Sequence, residues 1–221
     1  MTAIPSKPNP KTRLIELGAR ALTDGELLAV VLRLRSRTDR CDEVLAESLG
    51  LSGLLQWDLE TLIKRGFDEP QAVVLAAVAE LSRRQARQEL DDRFLAERPQ
   101  EVARYLHLRY GLPDQEVMGA LYIDMMNRVI GEAEHYRGIL TRISVEPRAI
   151  LRRGLTLHAA GMILFHTHPC GGCPEPSMDD RRFTDRMREA GSLIGVRLVD
   201  HIVVGHDGTF MSFQSRGLLK G

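Results

Sequence analysis

Residues 1–90 carry their apolar positions at helical spacing between polar cap signals. Thr23-Asp-Gly-Glu26 predicts a capping box: the threonine hydroxyl can accept from the third amide while Glu26 reaches back. The apolar run Leu27, Leu28, Val30, Val31 follows it. Asp58 is placed to cap a short helix, Leu59 to Lys64, that Gly66 stops. Phe67-Asp-Glu-Pro70 predicts a tight turn into a further helix running to about Gln88, with Val74, Ala77, Val78 and Leu81 on one face. Residues 90–98, LDDRFLAER, are charged and lack sustained periodicity, so the domain boundary is expected there.

Beyond it the pattern changes. Pro99 opens a helix ending near Gly111. Val117–Ile123 and Val129–Tyr136 read as strands joined by a short turn containing Asn127. Pro147 opens a helix running towards Gly161, and Met162–Phe165 is a short, wholly apolar strand suited to the centre of a sheet. Ser177 to about Gly191 predicts a helix, with strands at Val196–Val204 and Thr209–Phe213. The expected architecture is a helical domain over residues 1–90 followed by a layered α/β domain over 99–221.

Composition narrows the function classes. Acidic and basic residues balance at 30 each, and neither half carries a basic excess of the kind that grips nucleic acid by charge alone. Arg33, Arg35, Arg37 and Arg40 make one local basic patch. The N-terminus MTAIPSKPNPKTR lacks the apolar core of a signal peptide, and no apolar run approaches the roughly 20 residues of a membrane span. Three cysteines do not make a secreted disulfide framework, so the cytoplasm is the expected location.

The candidate chemistry lies in His166-Thr-His-Pro-Cys-Gly-Gly-Cys-Pro-Glu-Pro-Ser-Met-Asp-Asp180. A central strand runs into His166 and His168, which therefore emerge at its C-terminal end, where α/β folds place ligand sites. Residues two apart on extended chain point to one side, so both imidazoles can reach one cation. Asp180, in the first turn of the next helix, can turn its carboxylate back towards them. Two histidines and one carboxylate leave a tetrahedral zinc ion (Zn2+) one position for water, the layout of a catalytic site. Ser177 with Asp180 is also a capping box, and cap and ligand need not conflict.

His-Thr-His-Pro followed by Pro-Ser-x-x-Asp resembles the JAMM (MPN-plus) metalloprotease signature, specifically its bacterial RadC branch. The similarity extends over residues 99–221 through Glu116-Val-Met-Gly119, Asn127-Arg-Val-Ile130, Tyr136-Arg-Gly138, Pro147-Arg148, Asp200-His201-Ile-Val-Val-Gly205 and Arg216-Gly-Leu-Leu219. Residues 11–88 resemble the helical N-terminal half of RadC proteins more loosely, in a form similar to a helix-hairpin-helix unit. The resemblance implies a three-layer, cytidine-deaminase-like α/β domain with a mixed sheet. It also implies peptide or isopeptide cleavage, with zinc on His166, His168 and Asp180. Glu116 would then be the general base and proton donor, and Ser177 would donate to the oxyanion.

Three features set this chain against that pattern. Cys170 and Cys173 stand where RadC proteins usually have serine and aspartate, in a loop one residue longer before Ser177. Their default reading is unligated loop residues; the alternatives are thiolate ligands beside the histidines, or a redox-sensitive disulfide. The hairpin reads Gly66-Phe67-Asp68, so a carboxylate stands where a DNA-binding hairpin usually has its second glycine. That carboxylate puts negative charge where a phosphate should sit, so a helical scaffold without DNA contact is the first reading of this half. The alternative function is a non-enzymatic, DNA-repair-associated or interaction module, in which the hairpin matters and the altered metal loop is inactive. A metal-dependent nuclease is weaker, because two-metal phosphodiester chemistry uses extra carboxylates. Pro169-Cys-Gly-Gly-Cys173 also fits half of the zinc deaminase signature, but no histidine is followed two residues later by glutamate.

Overall fold

The computed structural model describes residues 9–34, 38–91, 98–111, 115–138, 146–168 and 175–219. It forms two compact units, one up to Ala79 and one from Glu80 onward. The division falls inside one long helix; most of the boundary expected at 90–98 lies outside the described residues.

The first unit is helical: α1 (Pro10–Leu17), a 3-10 turn (Ala19–Ala21), α2 (Asp24–Val31), α3 (Thr38–Glu47), α4 (Leu51–Leu54), α5 (Leu59–Lys64) and the start of α6 (Glu69–Asp91). The Thr23/Glu26 capping box forms, and Glu26 also pairs with Arg13. Asp58 caps α5 through the Thr61 amide, and Gly66 follows the helix in the left-handed region with φ of 89°. Asp68 then accepts from the Gln71 amide at 2.8 Å while Gln71 Oε1 accepts from the Asp68 amide at 3.2 Å. One amide at the start of α6 is thus served by the chain's own carboxylate.

The face of α6 expected from periodicity is a correction. Val74 and Leu81 are exposed, at 40% and 65%, and the buried stripe is Ala72, Leu75, Ala79, Ala86 and Leu90. Both stripes have helical spacing. The buried one is rich in alanine, whose short side chain admits close packing that bulkier residues would block.

The second unit is a layered α/β domain: α7 (Pro99–Tyr110), β1 (Glu116–Ile123), β2 (Val129–Gly138), α8 (Pro147–Thr156), β3 (Gly161–His168), α9 (Met178–Leu193), β4 (Arg197–Gly205) and β5 (Phe210–Ser212). Strand order is β2-β1-β3-β4-β5, so the apolar strand carrying the histidines is central, as its composition predicts. Among the described residues only the β3–β4 pairing is parallel, which makes the sheet mixed. The hairpin between β1 and β2 turns at Asn127, with φ of 57°, and Asp124 Oδ1 accepts from the amides of Met126 and Arg128. The α8 helix stops short of Gly161: His158 takes a left-handed φ of 52°, and the Ala159 amide bonds back to the Gly154 carbonyl at 3.0 Å.

Strand alternation divides the core into two faces. Val117, Leu121, Ile123, Ile163 and Phe165 pack under α7 and the end of α6. Met118, Ala120, Tyr122, Met162 and Leu164 pack against Ile150 of α8 and Phe183 and Met187 of α9. Gly119 is set by close approach: a Cβ there would lie 2.4 Å from Phe165 Cζ and 2.5 Å from the Ala133 carbonyl oxygen. Among the described residues no helix is long and apolar enough to cross a membrane.

Candidate metal centre

The even-numbered positions of β3 face α8 and α9, and this alternation carries His166 and His168 to the α9 side of the sheet. Met118 of β1 pairs with His166, and the same two-residue period puts Glu116, at the start of β1, on that side as well. The start of α9 supplies Asp180. The sequence therefore reaches the site through three elements, each bringing its residue by an ordinary periodicity.

The candidate ligand atoms converge. One donor atom each from His166, His168 and Asp180 lies within 4.8 Å of the others. His166 Nε2 sits 3.0 Å from His168 Nε2 and 3.6 Å from Asp180 Oδ1. His166 and Asp180 are buried, and His168 is partly exposed, giving the site an open side. Asp180 divides its carboxylate between two tasks. Its Oδ2 accepts from the Ser177 amide at 2.8 Å and the Ser177 hydroxyl at 2.6 Å, while Oδ1 is the oxygen turned to His166. Cap and candidate ligand coexist on one side chain.

Burial sets the charge states. It holds His166 down to about 4, with Asp180 pulling upward and His168 pushing further down. Burial likewise lowers His168, partly offset by Asp180. Both rings are thus neutral at pH 7, the form in which a ring nitrogen has a lone pair to give. Glu116 is half-buried, and burial followed by the negative charge of Asp180 pushes its carboxyl up. Two neutral imidazoles and one carboxylate oxygen fit a zinc ion by donor type, number and burial. Ser177 is the residue whose expected role meets a competing bond, since its one hydroxyl proton is donated to Asp180 Oδ2. Cys170 and Cys173 lie outside the described residues.

Two residues without an assigned role in the sequence also belong here. His201 of β4 is wholly buried, with its Nε2 2.9 Å from His166 Nδ1. Thr184 of α9 lies 2.6 Å from His201 Nδ1. Thr184 stands one helical turn after Asp180, a spacing that signals a shared face. His201 had no such signal. A register shift in the β3–β4 ladder between Met162 and Ile163, opposite Leu198 and Asp200, brings it to this face. Strict alternation from Leu198 would have turned residue 201 away.

Comparison with known proteins agrees along the chain. The RadC-like JAB domain family matches residues 96–218, and the UPF0758 N-terminal family matches residues 1–73. A UPF0758 protein of Leptothrix cholodnii is 40% identical over 226 residues, covering 99% of this chain and 100% of that protein. Another from Halorhodospira halophila is 40% identical, covering 97% of each. A third, from Variovorax paradoxus, is 39% identical over 98% of each. With the paired histidines and Asp180 on a central-strand scaffold and these matches spanning both units, the chain belongs to the RadC family, a UPF0758-type helical part followed by a RadC-like JAB domain.

Proposed function

We propose that this chain is a zinc-dependent hydrolase of peptide or isopeptide bonds. The observation that carries the reading is the convergence of His166, His168 and Asp180 on one point, beside a half-buried Glu116 on the same side of the sheet. His166, His168 and Asp180 would hold the zinc, which would lower the pKa of a water to about 7 and so make hydroxide available near neutral pH. Glu116 takes the proton that the water loses and returns it to the departing amine as the C–N bond breaks. Its raised pKa suits both directions of transfer, because a group titrating nearer the working pH both accepts and gives up a proton readily. The Ser177 hydroxyl donates to the carbonyl oxygen as negative charge develops there, exchanging its bond to Asp180 for one to substrate.

Metal analysis of purified protein tests the reading first. About one zinc per chain is expected, largely lost in His168→Ala. Full retention in Asp180→Ala with loss in Cys170→Ser/Cys173→Ser would instead assign the metal to a closed Cys/His site. Glu116→Gln keeps the zinc and abolishes cleavage of isopeptide-linked or unstructured peptide substrates. Unchanged turnover removes Glu116 from the chemistry.

A further inference from the structure

We infer that Thr184 and His201 are positioning residues: a one-way hydrogen-bond chain through them fixes the tautomer of His166, leaving Nε2 bare towards the metal point. The inference rests on the zinc reading above and goes on to say how the ligand is held.

The direction of each bond follows from proton counting. The Thr184 hydroxyl lies 2.6 Å from the Asp180 carbonyl oxygen, one helical turn back. A carbonyl only accepts, so the single hydroxyl proton is spent there. Towards His201 Nδ1, at 2.6 Å, Thr184 Oγ1 can then only accept. His201 therefore carries its proton on Nδ1. A neutral ring protonated at Nδ1 is bare at Nε2, and that nitrogen, 2.9 Å away, accepts from His166 Nδ1. His166 in turn is bare at Nε2, the atom facing His168 and Asp180. The order is Asp180 C=O, Thr184 O–H, His201 Nδ1–H, His166 Nδ1–H, each donating to the group before it.

The chain is held on every side. The His201 ring stacks on Phe213, with centroids 4.8 Å apart and planes 14° from parallel. Its amide donates to Asp200 Oδ1 at 2.7 Å, and the Ser212 hydroxyl fixes the other carboxylate oxygen at 2.6 Å. Asp180 enters twice, through its side chain at the metal point and through its carbonyl at the far end of the chain. Metal-binding histidines are commonly oriented by a partner on the second ring nitrogen. Here the partner is another histidine, and a neutral histidine can accept or donate. The Thr184 hydroxyl decides which. Were Thr184 to donate to His201 instead, its bond to the Asp180 carbonyl would be lost, the bond between His201 and His166 would reverse, and His166 Nε2 would carry hydrogen.

Two measurements test this on the full-length chain. Long-range 1H–15N spectra of the metal-free protein should show His166 and His201 both protonated at Nδ1; a proton on His166 Nε2 overturns the inference. Competition with a chromophoric chelator then gives the zinc affinity. Thr184→Val, which keeps the shape and removes the hydroxyl, should weaken zinc about 10–100-fold. Thr184→Ser, which keeps the hydroxyl, should restore it to within a few-fold of the parent. Equal affinity in Thr184→Val overturns the inference, as does failure of serine to rescue a weakened site. Should Thr184→Val not fold, the parent spectra and the serine variant still decide. A parent protein that binds no zinc ends the hydrolase reading, whereas the tautomers are read without any metal.

Discussion

Asp180→Asn separates the two tasks of the residue on which the site turns. An amide keeps the size of the carboxylate but has one oxygen. Two hydrogen bonds, from the Ser177 amide and hydroxyl, converge on the Oδ2 position, so the amide oxygen settles there. The NH2 group then occupies the Oδ1 position, 3.6 Å from His166 Nε2, and presents hydrogens where the proposed ligand oxygen offered a lone pair. The cap survives, and the metal-free protein should lose no more than about 1 kcal/mol, the cost typical of a damaged cap. Zinc binding should suffer far more. Spreading about 10–16 kcal/mol over four ligands gives roughly 3 kcal/mol for each, or about two orders of magnitude in Kd. Urea unfolding of the metal-stripped chain measures the first quantity and chelator competition the second. Zinc affinity within threefold of the parent would refute the assignment of Asp180 as a ligand. A loss of several kcal/mol in the metal-free protein would refute the division of the carboxylate.

Gly119→Ala should destabilise the second unit by about 1–3 kcal/mol in urea unfolding, because the new methyl meets Phe165 Cζ at 2.4 Å and a backbone oxygen at 2.5 Å; a loss under about 0.5 kcal/mol would show that this approach is not tight. The metal-free protein should lose stability as pH falls from about 6.5 to 4. His166 is held down to about 4, so the unfolded chain takes that proton first and the native state is favoured fully only above the unfolded value. This shift contributes about 3 kcal/mol across the window, His168 and His201 act in the same direction, and the raised Glu116 and Asp200 oppose them. His166→Gln should flatten the profile measured by urea unfolding at pH 7 and pH 5, and an equally steep profile in that variant would refute the cause.

The local features were legible in the residues themselves. Capping boxes at Thr23 and Ser177 form because donor and acceptor are three residues apart and need no tertiary partner. The all-apolar stretch Met162–Phe165 could only be satisfied by cover on both faces, which is why it lies at the sheet centre. His166 and His168 were readable for the same reason: a period of two puts them on one side wherever the strand goes. What the sequence left open was every choice between equivalent faces. Two apolar stripes ran along α6, and packing, not periodicity, buried the one through Ala72, Leu75 and Ala79. Glu116 is near the histidines only because β1 lies beside β3 in a register that pairs Met118 with His166. His201 faces His166 only because a single register shift in β4 reverses the alternation before it. Cap and strand periods are properties of a few consecutive residues, whereas register, strand order and the buried face depend on contacts between segments far apart in the chain.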